Sequence, residues 1–277
     1  MSVTVTIAEC SFTIDIRKVD ELCLHEEVID EHVDTLIEAL RREGTLRDPV
    51  IVDAGSDIVL DGMHRVTAAD ALGLGYIPAC EVRYTDPDIK VEGWAKVFDQ
   101  LSPVAFERAA TSVGISLAPT STKAHTSRAI PPPIAVIDGT YCELEFDDTD
   151  IASVCTAMRR LFDELEAHGF TPRLEPDSYL NGAFDGEEVV VAIPQIPKST
   201  IVEVGSMEFL FPPNTTRHVL PVRPIGLDIP IERLSDDPAV IERWVRHRLD
   251  TSAIEFVPPG SHYDGRRYDE ALAVIRD

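Results

Sequence analysis

The order of elements between residues 30 and 60 constrains the fold more than any other part of the sequence. Apolar residues recur at helical spacing from Asp30 to Glu43, with Asp30 as a possible N-cap and Gly44 just past the end. Two short β-rich runs, 50–52 and 58–60, follow this amphipathic helix and flank a polar turn. The pattern predicts a helix followed by a β-hairpin.

The turn after the hairpin, residues 61–65, carries the first chemical signal. It leads into a helix from Val66 to Leu72, and a strand near 77–82 closes the unit. Its glycine permits close approach to the backbone, and the first N–H groups of a helix have no partner within it. His64 and Arg65 add further donors. The turn therefore predicts an anion site suited to phosphate, with an ordinary strand-to-helix turn as the alternative.

The rest of the chain predicts a second α/β region. The first 16 residues alternate like a strand, and the segment 101–133 is rich in Ser, Thr, Ala and Pro, which is typical of a linker or insertion. A hairpin, a helix over 151–167 and a strand follow, with two further helices near 238–249 and 269–275. We therefore expect an α+β protein with an N-terminal domain at 1–100, a linker or insertion at 101–133, a second α/β domain at 134–234 and a helical C-terminal extension at 235–277.

Charge limits the class of partner. The 277 residues include 49 acidic and 25 basic side chains, giving a formal charge of −24. Nucleic acid is a poor expectation, because phosphate neutralisation requires clustered Lys and Arg. The acid is spread along a chain with only five lysines. This composition favours a salt-loving cytoplasm, where charge repulsion is screened, over an acidic mesophilic protein.

Cysteine usage and hydropathy indicate a cytoplasmic protein. The five cysteines show neither CxxC nor zinc-ligand spacing, so buried reduced thiols are the expectation. The N-terminus has no signal-peptide pattern. No run approaches about 18 uninterrupted apolar residues, so no membrane span is predicted.

Two further segments could carry chemistry. Glu26, in the pair His25-Glu26 before the first helix, could accept a proton near an anion site, although glutamate-rich surroundings more often form a solvated face. The hydroxyls and cations of segment 215–218, Thr-Thr-Arg-His, suit a carboxylate or phosphate, and capping of a strand is the alternative. An isolated tryptophan such as Trp94 more often packs in the core than contacts a ligand.

Taken together, these segments resemble a known family. The helix, hairpin and Asp-Gly-x-His-Arg turn over about residues 10–85 resemble the ParB/sulfiredoxin-like superfamily. One branch also matches at Leu24-His25-Glu26, Val91-Glu92-Gly93-Trp94 and the run from Phe211 through Pro212-Pro213-Asn214-Thr215-Thr216-Arg217-His218 to Pro221. That branch is the archaeal free L-serine kinases, which form O-phospho-L-serine and characteristically use ADP. The resemblance spans about residues 10–234.

The resemblance implies roles for individual residues. Glu26 would take the proton from the serine hydroxyl, and Asp61 would lie beside the transferred phosphoryl group and its Mg²⁺. The phosphates of ADP or ATP would be held by Gly62, Met63, His64 and Arg65. The serine pocket would be formed by Trp94, Thr215, Thr216, Arg217 and His218, with Arg217 the natural partner of the carboxylate. The implied enzyme acts on small molecules in cysteine biosynthesis, with no nucleic-acid or membrane partner and an open oligomeric state.

Two residues depart from the kinase pattern. Met63 stands where the pattern usually has a histidine, and Asn214 stands where it has a lysine. The departures concern nucleotide preference and affinity more than reaction class. Met63 also argues against sulfiredoxin chemistry, which requires a thiolate in this turn.

Two alternatives stay open. One is a ParB-like regulatory protein that binds nucleotide without kinase activity, although the charge and the lack of a basic helix-turn-helix argue against DNA binding. The other is a kinase for another small hydroxyl metabolite. Because a nucleotide and an amino-acid carboxylate are both anionic, the sequence further predicts a locally positive site built from His64, Arg65, Arg217, His218, helix N–H groups and Mg²⁺.

Overall fold

A computed structural model describes residues 2–7, 9–120, 132–181, 188–193, 195–207 and 209–276. The fold is mixed α+β, as the sequence predicts. Two compact units can be distinguished. Unit 1 comprises Met1–Lys90, Val202–Pro213 and His218–Asp277, and unit 2 comprises Val91–Ile201 and Asn214–Arg217.

Helices and strands cover most of both units. The helices are α1 (Asp30–Glu43), α2 (Met63–Ala71), α3 (Pro103–Ser112), α4 (Ile151–Ala167), α5 (Lys198–Val204) and α6 (Pro238–Thr251). The first ten strands are β1 (Val3–Ile7), β2 (Cys10–Lys18), β3 (Thr45–Leu46), β4 (Val50–Asp53), β5 (Val59–Asp61), β6 (Tyr76–Val82), β7 (Lys90–Glu92), β8 (Trp94–Phe98), β9 (Ser116–Pro119) and β10 (Ile134–Ile137). The others are β11 (Thr140–Glu145), β12 (Arg173–Pro176), β13 (Val189–Ala192), β14 (Arg217–Val219), β15 (Val222–Ile225), β16 (Ile229–Pro230), β17 (Ala253–Val257), β18 (His262–Tyr263), β19 (Arg266–Arg267) and β20 (Ala271–Arg276).

Unit 1 is built on a five-stranded sheet in the order β1-β2-β6-β4-β5. Strands β4 and β6 are parallel, and the other neighbours are antiparallel. The predicted first helix, hairpin and closing strand are confirmed. The N-cap prediction is wrong, because Ile29 and not Asp30 occupies that position, and it caps without a side-chain hydrogen bond. The backbone N–H of Ile29 itself is bound by the side chain of His64.

The end of the chain also belongs to unit 1. Strand β20 lies between β15, to which it is parallel, and β17, to which it is antiparallel. The helix predicted near 269–275 is therefore wrong. Its continuous apolar run is buried on both faces as a central strand, and periodicity cannot distinguish such a run from a buried helix. The helix predicted near 238–249 is confirmed as α6.

Unit 2 contains an antiparallel six-stranded sheet in the order β12-β8-β13-β10-β11-β9. Side chains of α3 and α4, including Phe106 and Leu161, pack with sheet residues such as Leu144 in one core. The segment 101–133 thus begins with the helix and edge strand of a folded unit, and residues 121–131 lie outside the described part. Strand β8, assigned from sequence to the first domain, is an inner strand of this sheet.

Hydrophobic length does not suggest insertion into a bilayer. Within the residues that the structure describes, no helix has both the length and the apolar character needed to span one.

Candidate functional site

The turn between β5 and α2 brings a glycine, an arginine and free helix N–H groups together. Gly62 is the N-cap of α2, has φ +99° and provides no side-chain cap. A Cβ on Gly62 would lie 2.7 Å from Nε of Arg65 and 2.8 Å from Cγ1 of Val50. The guanidinium therefore lies directly over the glycine, beside the unbonded N–H groups of the first helical turn. This geometry suits an anion, as the sequence predicts.

Asp61 lies between two guanidinium groups. Its Oδ2 accepts hydrogen bonds from Nη2 of Arg65 at 3.0 Å and from Nη1 of Arg223 at 2.6 Å. Burial by surrounding atoms alone would raise the pKa of Asp61, but the two cations outweigh it and hold the pKa well below its usual range. The carboxylate is ionised at neutral pH, and its side chain is 43% exposed.

Asp61 also fits the chemistry of a magnesium ligand. Both guanidinium bonds reach Oδ2, and the described residues make no hydrogen bond to Oδ1. Mg²⁺ is commonly held by one or two carboxylates together with substrate phosphates and water. In the described part of the chain, no group of three or more His, Cys, Asp and Glu side chains could hold a metal by itself. A metal here would therefore depend on the nucleotide.

His64 has a structural role that the sequence analysis did not predict. Its Nε2 accepts the backbone N–H of Ile29, the N-cap residue of α1, at 3.0 Å, so His64 holds the chain at the start of that helix. Burial, His32 and Arg65 all lower the pKa of His64, which favours the neutral imidazole. Neither a positive charge nor an Nε2 donor is therefore available to a ligand from His64. Met63 contributes only its backbone N–H to the first turn of α2.

Glu26 is a buried carboxylate in unit 1, with 4% of its surface exposed. A short parallel bridge to Phe211 fixes its backbone, since Phe211 donates to the carbonyl of His25 and accepts from Glu27, both at 2.9 Å. Oε1 of Glu26 lies 3.7 Å from Nε2 of His25. Nδ1 of His25 lies 2.8 Å from the carbonyl of Val59, which can only accept, so the proton is on Nδ1. Nε2 therefore presents a lone pair toward Glu26.

His25 and His218 form a buried pair of neutral rings. Their centroids are 5.5 Å apart in an edge-to-face arrangement, and Nε2 of His218 lies 2.7 Å from the Tyr84 hydroxyl. Burial lowers the pKa of His25 to about 4. Burial, with the neighbouring His25, lowers the pKa of His218 to about 3. The sequence-based expectation that His64 and His218 supply positive charge is therefore wrong, and the arginines supply it.

Acidification should destabilise the protein through these two rings. Unfolded imidazoles take up protons near pH 6.5, whereas the folded rings do so only near about pH 4 and about pH 3. Between those values the unfolded chain binds more protons, so the free energy of unfolding falls as pH falls. We expect the Tm to be flat above about pH 7 and to drop by several degrees by about pH 5.

Thermal melts at constant salt would test this, with His168→Gln as the control because that histidine is exposed. His25→Gln should flatten the pH dependence, and an unchanged wild-type Tm at about pH 5 would contradict the expectation.

Unit 2 holds a second group of predicted site residues. Nη1 of Arg217 forms an ion pair with Glu92, and its guanidinium lies 5.6 Å from the centre of the Trp94 ring. Gly93, between them in sequence, passes close to the carbonyl of Ile193, to which an added Cβ would be 3.0 Å. The glycine in Val-Glu-Gly-Trp is thus needed for backbone approach, and Trp94 packs against a cation.

The polar run before Arg217 is largely buried. Thr215 and Thr216 are 1% and 8% exposed. Asn214, the departure from the kinase pattern, has φ +60°, a left-handed conformation that asparagine tolerates better than most residues. An asparagine therefore suits the backbone conformation at this position.

Sequence reasoning did not single out Arg223, Glu270 or Tyr84. Arg223 is a lone cation in the otherwise apolar strand β15, and Glu270 directly precedes the apolar strand β20. A single charged residue within or at the edge of a buried strand usually has a partner of opposite charge. The sequence therefore contained a signal that Arg223 and Glu270 each form a buried ion pair. The pairing itself depends on contacts between residues far apart in sequence.

Comparison with known proteins places these observations in context. No protein-family model matches the chain. It is 28% identical over 200 residues to a ParB-like protein of Sulfolobus acidocaldarius, covering 70% of this chain and 84% of the relative. It is 26% identical over 229 residues to an ATP-dependent L-serine kinase of Staphylothermus marinus, with coverages of 78% and 89%. It is 24% identical over 234 residues to an ADP-dependent L-serine kinase of Thermococcus kodakarensis, with coverages of 78% and 91%.

A solved structure shares the fold. A mutant free serine kinase in complex with AMP matches with a TM-score of 0.65 and 22% identity, covering 80% of this chain and 93% of that one. With the ParB-like relative, this confirms the predicted ParB/sulfiredoxin-like fold. The chain is thus similar in sequence to L-serine kinases and to a ParB-like protein, and it shares its fold with a free serine kinase.

Proposed function

We propose that this protein is a kinase that transfers a phosphoryl group from an adenine nucleotide to the hydroxyl of free L-serine, giving O-phospho-L-serine. The relatives with this activity cover most of the chain. The observation that carries the proposal is the combination, within unit 1, of a buried carboxylate at Glu26 with an anion turn at 61–65. Phosphoryl transfer depends chiefly on such positioning and on charge stabilisation.

Glu26 is the proposed general base. It would accept the hydroxyl proton as the serine oxygen attacks the terminal phosphorus, while the bond to the leaving nucleotide oxygen breaks. ADP would leave as AMP, and ATP would leave as ADP. His25 Nε2 lies 3.7 Å from Oε1, so its lone pair would accept a hydrogen bond from the resulting carboxyl only after the two side chains move closer.

The turn 61–65 is the proposed phosphate site. Backbone N–H groups of Met63, His64 and Arg65 and the Arg65 guanidinium would hold the phosphates, with Gly62 allowing their approach. Nε of Arg65 is buried and has no hydrogen-bond partner among the described residues, so a phosphate oxygen could satisfy it. Asp61 would hold Mg²⁺, which when bound neutralises charge on the phosphoryl oxygens.

The proposed serine-binding side chains are those that the family resemblance implies. Arg217 would bind the carboxylate, because its planar guanidinium can form two parallel hydrogen bonds to two oxygens. Trp94, Thr215 and Thr216 would complete the pocket, and the Arg217 guanidinium lies within cation–π distance of the Trp94 ring, 5.6 Å from its centre. His218 follows directly in sequence and would contribute as a neutral ring, because its pKa is low.

We also propose the cellular setting. The acidic residues are spread along the whole sequence and there are only five lysines, a composition that suits a salt-rich archaeal cytoplasm. The phosphoserine product would serve cysteine biosynthesis.

Product analysis would test the proposal. Purified protein is incubated with L-serine, Mg²⁺ and either ADP or ATP, at low and high salt, and ³¹P NMR follows phosphoserine. We expect phosphoserine with at least one nucleotide and none without serine. Homoserine, threonine and sugars as acceptors test for another hydroxyl substrate. Nucleotide binding without product from any acceptor would overturn the kinase proposal and favour the ParB-like regulator.

A further inference from the structure

Arg223 connects three separate parts of unit 1. Nη1 donates to Oδ2 of Asp61 at 2.6 Å, Nε donates to Oε1 of Glu270 at 2.5 Å, and Nη2 donates to the carbonyl of His218 at 3.3 Å. These partners come from β5, from the residue before β20 and from β14. The side chain is 12% exposed. One guanidinium thus joins the anion turn, the residue before the last strand and the backbone of His218.

The two arginines beside Asp61 differ in what they can do for a ligand. All three guanidinium nitrogens of Arg223 donate to protein acceptors. Among the described residues, Arg65 makes a hydrogen bond to Asp61 and a looser contact of 3.9 Å to Asp48, and its buried Nε has no hydrogen-bond partner. Nε of Arg65 is therefore available to a phosphate, whereas Nε of Arg223 is already bound to Glu270.

Sheet pairing holds Glu270 in place. Strands β15 and β20 are parallel, with Val222 opposite Ala271 and Arg223 opposite Leu272. Glu270, immediately before that register, is 5% exposed and is bound to the guanidinium. A buried carboxylate is costly unless it is paired, so this contact compensates its burial. The C-terminal segment, which the family resemblance leaves unexplained, therefore reaches Asp61 through one intermediate residue.

We propose that Arg223 and Glu270 are positioning residues through which the C-terminal segment fixes the orientation of the Asp61 carboxylate for phosphoryl transfer. This inference rests on the proposed kinase function. A carboxylate beside a transferring group must keep its position closely, because a displacement of about 1 Å can cost about 100-fold in rate. Arg65 holds the Asp61 carboxylate from one side, and Arg223 supplies the second hydrogen bond to the same oxygen.

Four variants test the proposal. Arg223→Gln and Glu270→Ala remove one partner each, and Glu270→Gln keeps an oxygen that can accept the Nε–H bond. Glu81→Gln is the matched control, since Glu81 pairs with Arg17 in the same unit and makes no contact with Asp61. For Arg223→Gln we expect a loss of about 100-fold in kcat, with the KM values for nucleotide and serine within about threefold. Glu270→Ala should lose about tenfold or more in kcat, Glu270→Gln should recover most of that loss, and Glu81→Gln should match wild type.

The outcomes separate the possible roles. A nucleotide KM raised tenfold or more by Arg223→Gln, with kcat unchanged, would make Arg223 a phosphate ligand and overturn the proposal. Equal losses in kcat and Tm for Glu270→Ala and Glu81→Gln would reduce the pair to general stability and also overturn it.

A second measurement does not depend on activity. In protein labelled with ¹³C at aspartate Cγ, the Asp61 signal is assigned with Asp61→Asn. It should move in Glu270→Ala and stay in place in Glu81→Gln, and no movement would count against positioning. If wild type makes no phosphoserine, the kinase proposal fails, while this measurement still tests whether the pair orients Asp61.

Discussion

Replacing Glu26 with glutamine is expected to lower kcat for serine phosphorylation by about 100-fold to 10,000-fold, the usual contribution of a general base. The amide has the same shape but cannot take the hydroxyl proton. Because Glu26 is 4% exposed and its backbone is fixed by the bridge to Phe211, the exchange should preserve the local structure. Binding of the nucleotide should change by less than about threefold, since the phosphates are assigned to the turn 61–65.

Steady-state assays and calorimetric titration with ADP would measure the two effects separately. Glu31→Gln is a suitable control, because Glu31 lies in the first turn of α1 and is exposed. It should leave both kcat and nucleotide affinity unchanged. Turnover by Glu26→Gln near the wild-type rate would remove Glu26 from the role of base, and a large loss of nucleotide binding would indicate a structural role instead.

Local sequence signals predicted the parts of the site that depend on neighbouring residues. The strand end at Asp61, the left-handed Gly62 and the start of α2 follow one another, so their geometry is encoded within a few positions. The same holds for α1, whose last turn is closed by the left-handed Gly44. Hydrophobic periodicity and glycine are sufficient for such elements.

Elements that depend on distant partners were predicted poorly. Strand β8 lies between β12 and β13, whose residues come more than seventy positions later, so its place in unit 2 cannot be read locally. Strand β20 was interpreted as a helix for the same reason. The prediction that His64 and His218 carry positive charge was also wrong, because burial and hydrogen bonding decide whether an imidazole is protonated.

The distribution of charge within each unit therefore differs from a simple positive pocket. Arg65 and Arg223 both face Asp61, and Arg217 faces Glu92. Each cation is held by a carboxylate in an otherwise strongly acidic chain. Such pairing orients guanidinium groups before a ligand arrives, and it limits the ordering cost that binding would otherwise incur. It also makes the arrangement sensitive to any change that displaces a guanidinium.

Gly62→Ala is the substitution expected to disturb this arrangement most directly. An alanine at φ +99° carries backbone strain of about 1–3 kcal/mol. Its Cβ would also lie 2.7 Å from the Arg65 guanidinium and 2.8 Å from the side chain of Val50. Val50 is fully buried in the sheet and cannot yield, so Arg65 or the turn must move. We expect nucleotide affinity to fall at least about tenfold, together with a lower Tm.

As a control for Gly62→Ala, the variant Gly73→Ala separates the effect of backbone strain from the effect of displacing the Arg65 guanidinium. Gly73 follows α2 with φ +69°, and an added Cβ there would meet nothing within 4 Å. That variant should lose a similar increment of stability through its left-handed backbone, about 1–2 kcal/mol, but should bind ADP as wild type does. If both variants bind ADP equally well, the close approach at Gly62 does not serve the phosphates. If only Gly62→Ala fails, the loss comes from the guanidinium and the N–H groups that this glycine brings together.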